Sequence, residues 1–373
     1  MKAKLSLFLA FLFLLSAFFV LPVSAAPDVS AKSAVLIEAE SGRVLYQKNA
    51  FVRLPMASTT KIMTAIVAIE NGELGKTVTV AKEAVGVEGS SIYLQPNEKL
   101  TLEALVYALL LQSANDAATA IAIEVGGSVE GFAKLMNEKA EELGLTATHF
   151  TNPHGLDDED HYTSAYDLAK IAAYALRNET FKTICSTYKK TIPLRGDEGT
   201  RVLVNHNKLL RLYDGAIGVK TGFTKRSGRC LVGAAERDGL TLVSVTLSAP
   251  DDWNDHKEML DFGFSHYERV TLAEKGGFTA PLPLTGGTVD YVIAANTQKS
   301  SVMLNRAHGE ITYRIEAPHT LYAPVNVGDV LGRVVYLCDG EEIASSPLVA
   351  ANSVGAPQKK FSLWRWISSI FGD

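Results

Sequence analysis

Polar and apolar residues change rhythm several times along the chain, and each change marks a boundary. The segment "AKSAVLIEAESGRVLYQKNA", from Ala31, carries two short apolar runs split at Glu40-Ser41-Gly42, which predicts a β-hairpin. From Ser58 to about Gly144 apolar positions recur mostly at helical spacing, most clearly in "LEALVYALLLQSANDAATAIAIEV", with Thr101 as its N-cap. A polar loop, "FTNPHGLDDEDHYT", comes next. The stretch Ser164-Ala-Tyr-Asp167 then opens "LAKIAAYAL" as an S-x-x-D capping box with Asp167 as its acid. Beyond Tyr188 the period switches to alternation in "KKTIPL", "AIGVKTGF" and "RCLVGAAERDGLTLVSVTLSA", the last turning back at Arg237-Asp238-Gly239. Strands, a helical block and strands again predict an α/β fold of sheet and helix layers.

Near Val270 to Gly277 the texture changes once more. Short alternating segments such as "GTVDYVIA", "ITYRIEA" and "VLGRVVYLCDG" predict a small all-β second domain. The two ends differ from both domains. Lys2 and Lys4 precede an apolar run from Leu5 to Val20 and then Val23-Ser24-Ala25, the pattern of a secretory signal cleaved after about Ala25. An uncleaved anchor is the alternative, and either places the working protein outside the cytoplasmic membrane. At the other end, in "KKFSLWRWISSIFGD", a helix would put Leu363, Trp364, Trp366, Ile367, Ile370 and Phe371 on one face. Its composition predicts a helix lying on a membrane surface, the alternative being a terminal helix packed on its own protein.

Composition narrows the function classes. The chain has 373 residues, 47% hydrophobic and 21% charged, enough for a large domain plus a smaller one. A net charge of −5 with scattered Lys and Arg gives no footprint for nucleic acid. Three separated cysteines (Cys185, Cys230 and Cys338) suit neither a disulfide framework nor a zinc site and are expected as packed or unpaired thiols.

The candidate chemistry lies in three short fragments. In "PMASTTKIMTA", Ser58 and Lys61 are one helical turn apart, so a desolvated lysine could take the proton of the serine hydroxyl. Alone this is a common helix start. Ser113-Ala114-Asn115 ends the most apolar helical stretch, where polar side chains need partners, although Ser and Asn also serve simply to end helices. Lys220-Thr221-Gly222 sits on a predicted strand, where the glycine permits close approach. An exposed edge strand protected by lysine is the ordinary alternative.

S-x-x-K, S-x-N and K-T-G in that order form the set used by penicillin-binding proteins and class A β-lactamases. The chain resembles the D-alanyl-D-alanine carboxypeptidases, the low-molecular-mass serine penicillin-binding proteins, over nearly all of its mature length. "FTNPHGLD", "TSAYDLAKIA" and "GVKTGFT" carry the resemblance further. It implies a β-lactamase/transpeptidase-like sheet-and-helix catalytic domain over 27–268, a β-rich domain over 269–355 and a membrane-anchoring helix over 356–373, after a signal over 1–26.

It also implies roles: Ser58 as nucleophile, Lys61 as base, Ser113 as proton relay and Asn115 as ligand of the substrate amide. Lys220 and Thr221 would hold the terminal carboxylate, beside Gly222. Backbone N–H groups of Ser58 and Phe223 would form the oxyanion hole. The substrate would be a peptidoglycan pentapeptide ending in D-Ala-D-Ala, with β-lactams as covalent inhibitors and no cofactor. A β-lactamase, a DD-endopeptidase and a non-catalytic wall-binding protein are the alternatives. Against the first, no Glu-x-x-x-Asn segment lies between Ser113 and Lys220.

Overall fold

The computed structural model describes residues 26–194 and 199–357. The expected signal and the terminal amphipathic helix lie outside these residues. Among the described residues no helix is long and apolar enough to cross a membrane.

The chain divides into two compact units, one ending at Ser265 and the other beginning at His266. In chain order the first contains β1 (Ser33–Glu38), β2 (Val44–Lys48), α1 (Lys61–Asn71), β3 (Thr77–Thr79) and β4 (Lys99–Thr101). Next come α2 (Leu102–Leu111), α3 (Asn115–Gly126), α4 (Val129–Glu142), α5 (Ala165–Leu176), α6 (Glu179–Ser186), β5 (Lys189–Leu194) and β6 (Gly199–Val204). The short α7 (Leu209–Leu212), β7 (Ala216–Thr224), β8 (Gly228–Arg237), β9 (Leu240–Leu247) and α8 (Asp252–His266) complete it.

An antiparallel sheet of order β2-β1-β9-β8-β7 organises the unit, so the first hairpin returns to pair with the last strands. Both faces of its centre are buried. Val35, Ile37, Val243 and Val245 point into the main core, while Leu36 and Leu242 meet α8, where Gly263 leaves room for them. Because successive residues of a strand face opposite sides, two buried faces require near-continuous apolar strands, and β1 is buried along its whole length. Helix α2 is apolar all round and buried from Ala104 to Leu111, as a helix enclosed by others must be.

The expected N-cap is present, with Thr101 accepting from the Ala104 N–H. The expected capping box is only half present. Ser164 Oγ accepts from the Asp167 N–H, but the Asp167 carboxylate accepts instead from the Ala147 N–H at 2.8 Å and the Thr148 hydroxyl at 2.9 Å. It ties down the preceding loop rather than the helix start. The helical reading of Ser58 to Gly144 is interrupted by β3, β4 and the irregular segment between them, whose Asp116 anchor accepts from Ser91 Oγ and from the Ile92 and Leu94 N–H groups.

The second unit is all-β. Strands β10 (Tyr267–Ala273), β11 (Thr279–Thr285), β12 (Tyr291–Asn296), β13 (Ser300–Asn305), β14 (Ile311–Glu316), β15 (Leu321–Tyr322), β16 (Val330–Cys338) and β17 (Glu341–Ala350) follow one another. β10 pairs with β13, and the others form a sheet of order β14-β16-β17-β12-β11-β15 over a small core containing Leu282, Val292, Val334 and Leu348.

Candidate active site

Ser58 lies in a single 3₁₀ turn, Ala57–Thr60, that leads directly into α1. The turn is held by its own threonines: Thr59 Oγ1 donates to the Met56 carbonyl at 2.6 Å and Thr60 Oγ1 to the Ala57 carbonyl at 2.8 Å. This places Lys61 one turn beyond Ser58 on the same side, with Nζ 3.0 Å from Ser58 Oγ. Lys61 is 0% exposed although it is a lysine. Its amine reaches two further acceptors, Asn115 Oδ1 at 2.6 Å and the His154 carbonyl at 2.5 Å. Burial, joined by the nearby charge of Lys220, holds its pKa well below the usual lysine range.

An ammonium offers three N–H bonds and this one has three acceptors. On losing a proton it keeps two N–H bonds for the two shorter contacts and turns its lone pair toward Ser58 Oγ. The arrangement thus converts a hydrogen-bond donor into a base aimed at one hydroxyl.

Ser113 sits between α2 and α3 with φ of +59°, in the sharp turn that ends the apolar helix, and Asn115 begins α3. The Asn115 side chain has two partners: Oδ1 accepts from Lys61 and Nδ2 donates to the Glu88 carbonyl at 2.5 Å.

Lys220 lies on β7, 1% exposed, and burial pushes its pKa down to about 7. Its Nζ donates to the Thr221 carbonyl at 2.9 Å. Gly222 brings this strand against the serine turn. A Cβ there would stand 3.0 Å from the Ser58 nitrogen and 3.1 Å from that of Thr59, closer than side chains normally approach. The close approach expected of this glycine is therefore to the backbone of the turn that carries Ser58.

Ser58, Ser113, Thr221, Gly222 and Phe223 all line one cleft of about 530 Å³. Lys61 and Lys220 are buried beside it. The three fragments thus converge from a helix start, an interhelical turn and a strand.

The far wall went unanticipated. His206, Lys208, Arg229, Asp252 and Trp253 also line the cleft, and Arg229 pairs with Asp252 at 2.6 Å. Arg229 reaches it because β8 places it opposite Phe223. His154, in the polar loop, contributes its carbonyl to Lys61, while burial takes its imidazole pKa down to about 3. Cys230 lies on β8 beside the K-T-G strand, fully buried and paired opposite Gly222. Among the described residues no cluster of three or more His, Cys, Asp or Glu could hold a metal ion.

Residues 22–251 match the family model described as D-alanyl-D-alanine carboxypeptidase, and residues 267–356 match that of the penicillin-binding protein 5 C-terminal domain. The chain is 35% identical to the D-alanyl-D-alanine carboxypeptidase DacF of Bacillus subtilis, covering 92% of this chain and 90% of that protein. It is 31% identical to the D-alanyl-D-alanine carboxypeptidase DacA of Haemophilus influenzae, covering 91% and 89%. The crystal structure of penicillin binding protein 5 from Haemophilus influenzae superposes with a TM-score of 0.72 at 30% identity, over 89% of this chain and 99% of that one.

Proposed function

Since the chain belongs to the D-alanyl-D-alanine carboxypeptidase family of serine peptidases, we propose a residue-level course for its D-Ala-D-Ala carboxypeptidase reaction. Ser58 Oγ attacks the carbonyl of the penultimate D-alanine as Lys61 Nζ takes the hydroxyl proton. The developing oxyanion is met by the N–H groups of Ser58 and Phe223. Ser113 passes a proton to the leaving nitrogen, the C–N bond breaks and free D-alanine departs. Water then hydrolyses the Ser58 ester.

Lys220 and Thr221 hold the substrate's terminal carboxylate through charge-assisted hydrogen bonds. Asn115 fixes the Lys61 amine. β-Lactams enter by the same attack and remain as esters on Ser58. The observation that carries this reading is the buried Lys61 amine, 3.0 Å from Ser58 Oγ and fastened by two other acceptors.

The test is labelling with a fluorescent penicillin, beside release of D-alanine from a peptide ending in D-Ala-D-Ala. The wild type acquires label and releases D-alanine, whereas Ser58→Ala does neither. A labelled Ser58→Ala protein would refute the assignment.

The same reading extends to location. Export through the N-terminal signal and attachment by residues 356–373 would place the enzyme on the outer face of the cytoplasmic membrane. The K-K start and apolar face of that tail support this. Deleting residues 359–373 should move the protein to the soluble fraction with its activity intact; persistence in the membrane fraction would contradict the role given to the tail.

A further inference from the structure

Thr60, the second of the two residues between Ser58 and Lys61, has no part in the steps above, yet its hydroxyl is buried in a chain of oriented hydrogen bonds. The chain starts at the Thr151 N–H, which donates to His161 Nδ1 at 3.1 Å. A backbone N–H can only donate, so Nδ1 carries the lone pair and the neutral ring keeps its proton on Nε2. That nitrogen lies 2.8 Å from Thr60 Oγ1 and donates to it. The hydroxyl has one proton to give, and its other close partner is the Ala57 carbonyl at 2.8 Å. The direction is therefore fixed throughout, from the Thr151 amide to the imidazole, to the hydroxyl, to the Ala57 oxygen.

The last acceptor gives the chain its meaning. The Ala57 carbonyl and the Ser58 N–H belong to one planar peptide group and point in opposite directions, so fixing one aims the other. Ala57 has φ of +48°, a left-handed conformation that a residue with a Cβ adopts only under constraint. The same oxygen is hemmed in from the other side, since a Cβ on Gly155 would stand 2.0 Å from it. Thr60 and His161 are 1% and 3% exposed, so water does not substitute for either partner.

We propose that Thr60 and His161 are positioning residues that hold the Ala57–Ser58 peptide so that the Ser58 N–H faces the cleft as an oxyanion donor. His161 acts only through Thr60, and Thr60 only through the Ala57 carbonyl. Burial also favours the neutral ring this requires, taking the His161 pKa down to about 4. The inference rests on the oxyanion role given to Ser58 N–H under the proposed function.

The test uses the full chain and two readouts: the rate of acylation by a penicillin, and the infrared stretching band of the ester carbonyl in the accumulated acyl-enzyme. Deleting a whole oxyanion donor slows a serine enzyme by about 10²–10³-fold, so misaiming one should slow acylation by about 10-fold or more. Thr60→Val keeps the shape and removes the hydroxyl. It should slow acylation and move the ester band to higher frequency, as a carbonyl does on losing a hydrogen bond. Thr60→Ser should restore both.

His161→Leu should follow Thr60→Val, and His161→Gln, which keeps an N–H near the Nε2 position, should recover toward wild type. If either first variant fails to fold, the other carries the same comparison. Wild-type acylation rates in Thr60→Val or His161→Leu would overturn the proposal. So would slow acylation with an unmoved ester band, which is what general loosening of the turn produces. Absence of any adduct on the wild type would remove the premise itself, and the wild type alone reveals that outcome.

Discussion

Replacing Asn115 with aspartate keeps the shape of the side chain and turns the neutral acceptor beside Lys61 into a charged one. In the wild type Oδ1 lies 2.6 Å from Nζ. At that separation and an effective dielectric constant of about 20, a unit charge pair is worth roughly 6 kcal/mol, a ceiling of roughly four to five pKa units. Two effects reduce it: the carboxylate must itself be desolvated, and it would face the Glu88 carbonyl that Asn115 Nδ2 now satisfies. Measured shifts beside an opposite charge run at about 1–3 units, so an upward shift of about 2 is expected for Lys61.

Acylation requires the neutral amine, so raising this pKa removes base at low pH and returns it at high pH. Below both pKa values the neutral fraction, and with it the acylation rate, falls about 100-fold, and the two proteins converge as pH rises past the variant's value. The assay is single-turnover acylation by a chromogenic penicillin across neutral to alkaline pH, read as the ratio of variant to wild type. A ratio that is low but constant with pH, or equal to one throughout, would refute the assignment of Lys61 as the base tuned by Asn115.

Two other outcomes follow from buried charge and buried thiol. Glu98 has a side chain 0% exposed and is paired with Arg201, so Arg201→Met removes the opposite charge from a buried carboxylate and should cost about 3 kcal/mol in urea unfolding. A loss under about 1 kcal/mol, within what exposed pairs give, would show the pair to be effectively solvated. Burial pushes the Cys185 and Cys230 thiols up to about 12 and about 11, while Cys338 is partly exposed. A thiolate-selective reagent at mildly alkaline pH should therefore modify Cys338 alone in the native protein and all three after unfolding; rapid native labelling of Cys230 would show the K-T-G strand to open.

The order of S-x-x-K, S-x-N and K-T-G was legible because each fragment is local, and chain order survives folding. The helix start at Lys61, the N-cap at Thr101 and the hairpin at Asp238-Gly239 were legible for the same reason. Features that depend on two distant segments were not. The S-x-x-D pattern marks the start of α5, but nothing in it shows that the Asp167 oxygens turn to Ala147 and Thr148. Strands of three residues, such as Thr77–Thr79, are too short to carry a period, so a helical neighbourhood overwrites them. Arg229 and Trp253 reach the cleft through sheet register and the placement of α8, neither of which leaves a spacing in the sequence. His154 acts through its carbonyl, which every residue possesses.

Two lysines buried in one site present a difficulty that the surroundings resolve. Desolvation penalises both charges, and two neutral amines would leave an anionic substrate without a cation. Burial lowers both pKa values, that of Lys220 to about 7, and for Lys61 the neighbouring charge of Lys220 lowers it further. Like charges this close also disfavour two protons on the pair, so a single shared proton is favoured over two. The first and third motifs are therefore one electrostatic unit. Removing Lys220 would take away a cation beside the cleft and also the smaller of the two causes that lower the Lys61 pKa, burial being the larger, so a change on β7 is felt at the amine beside Ser58.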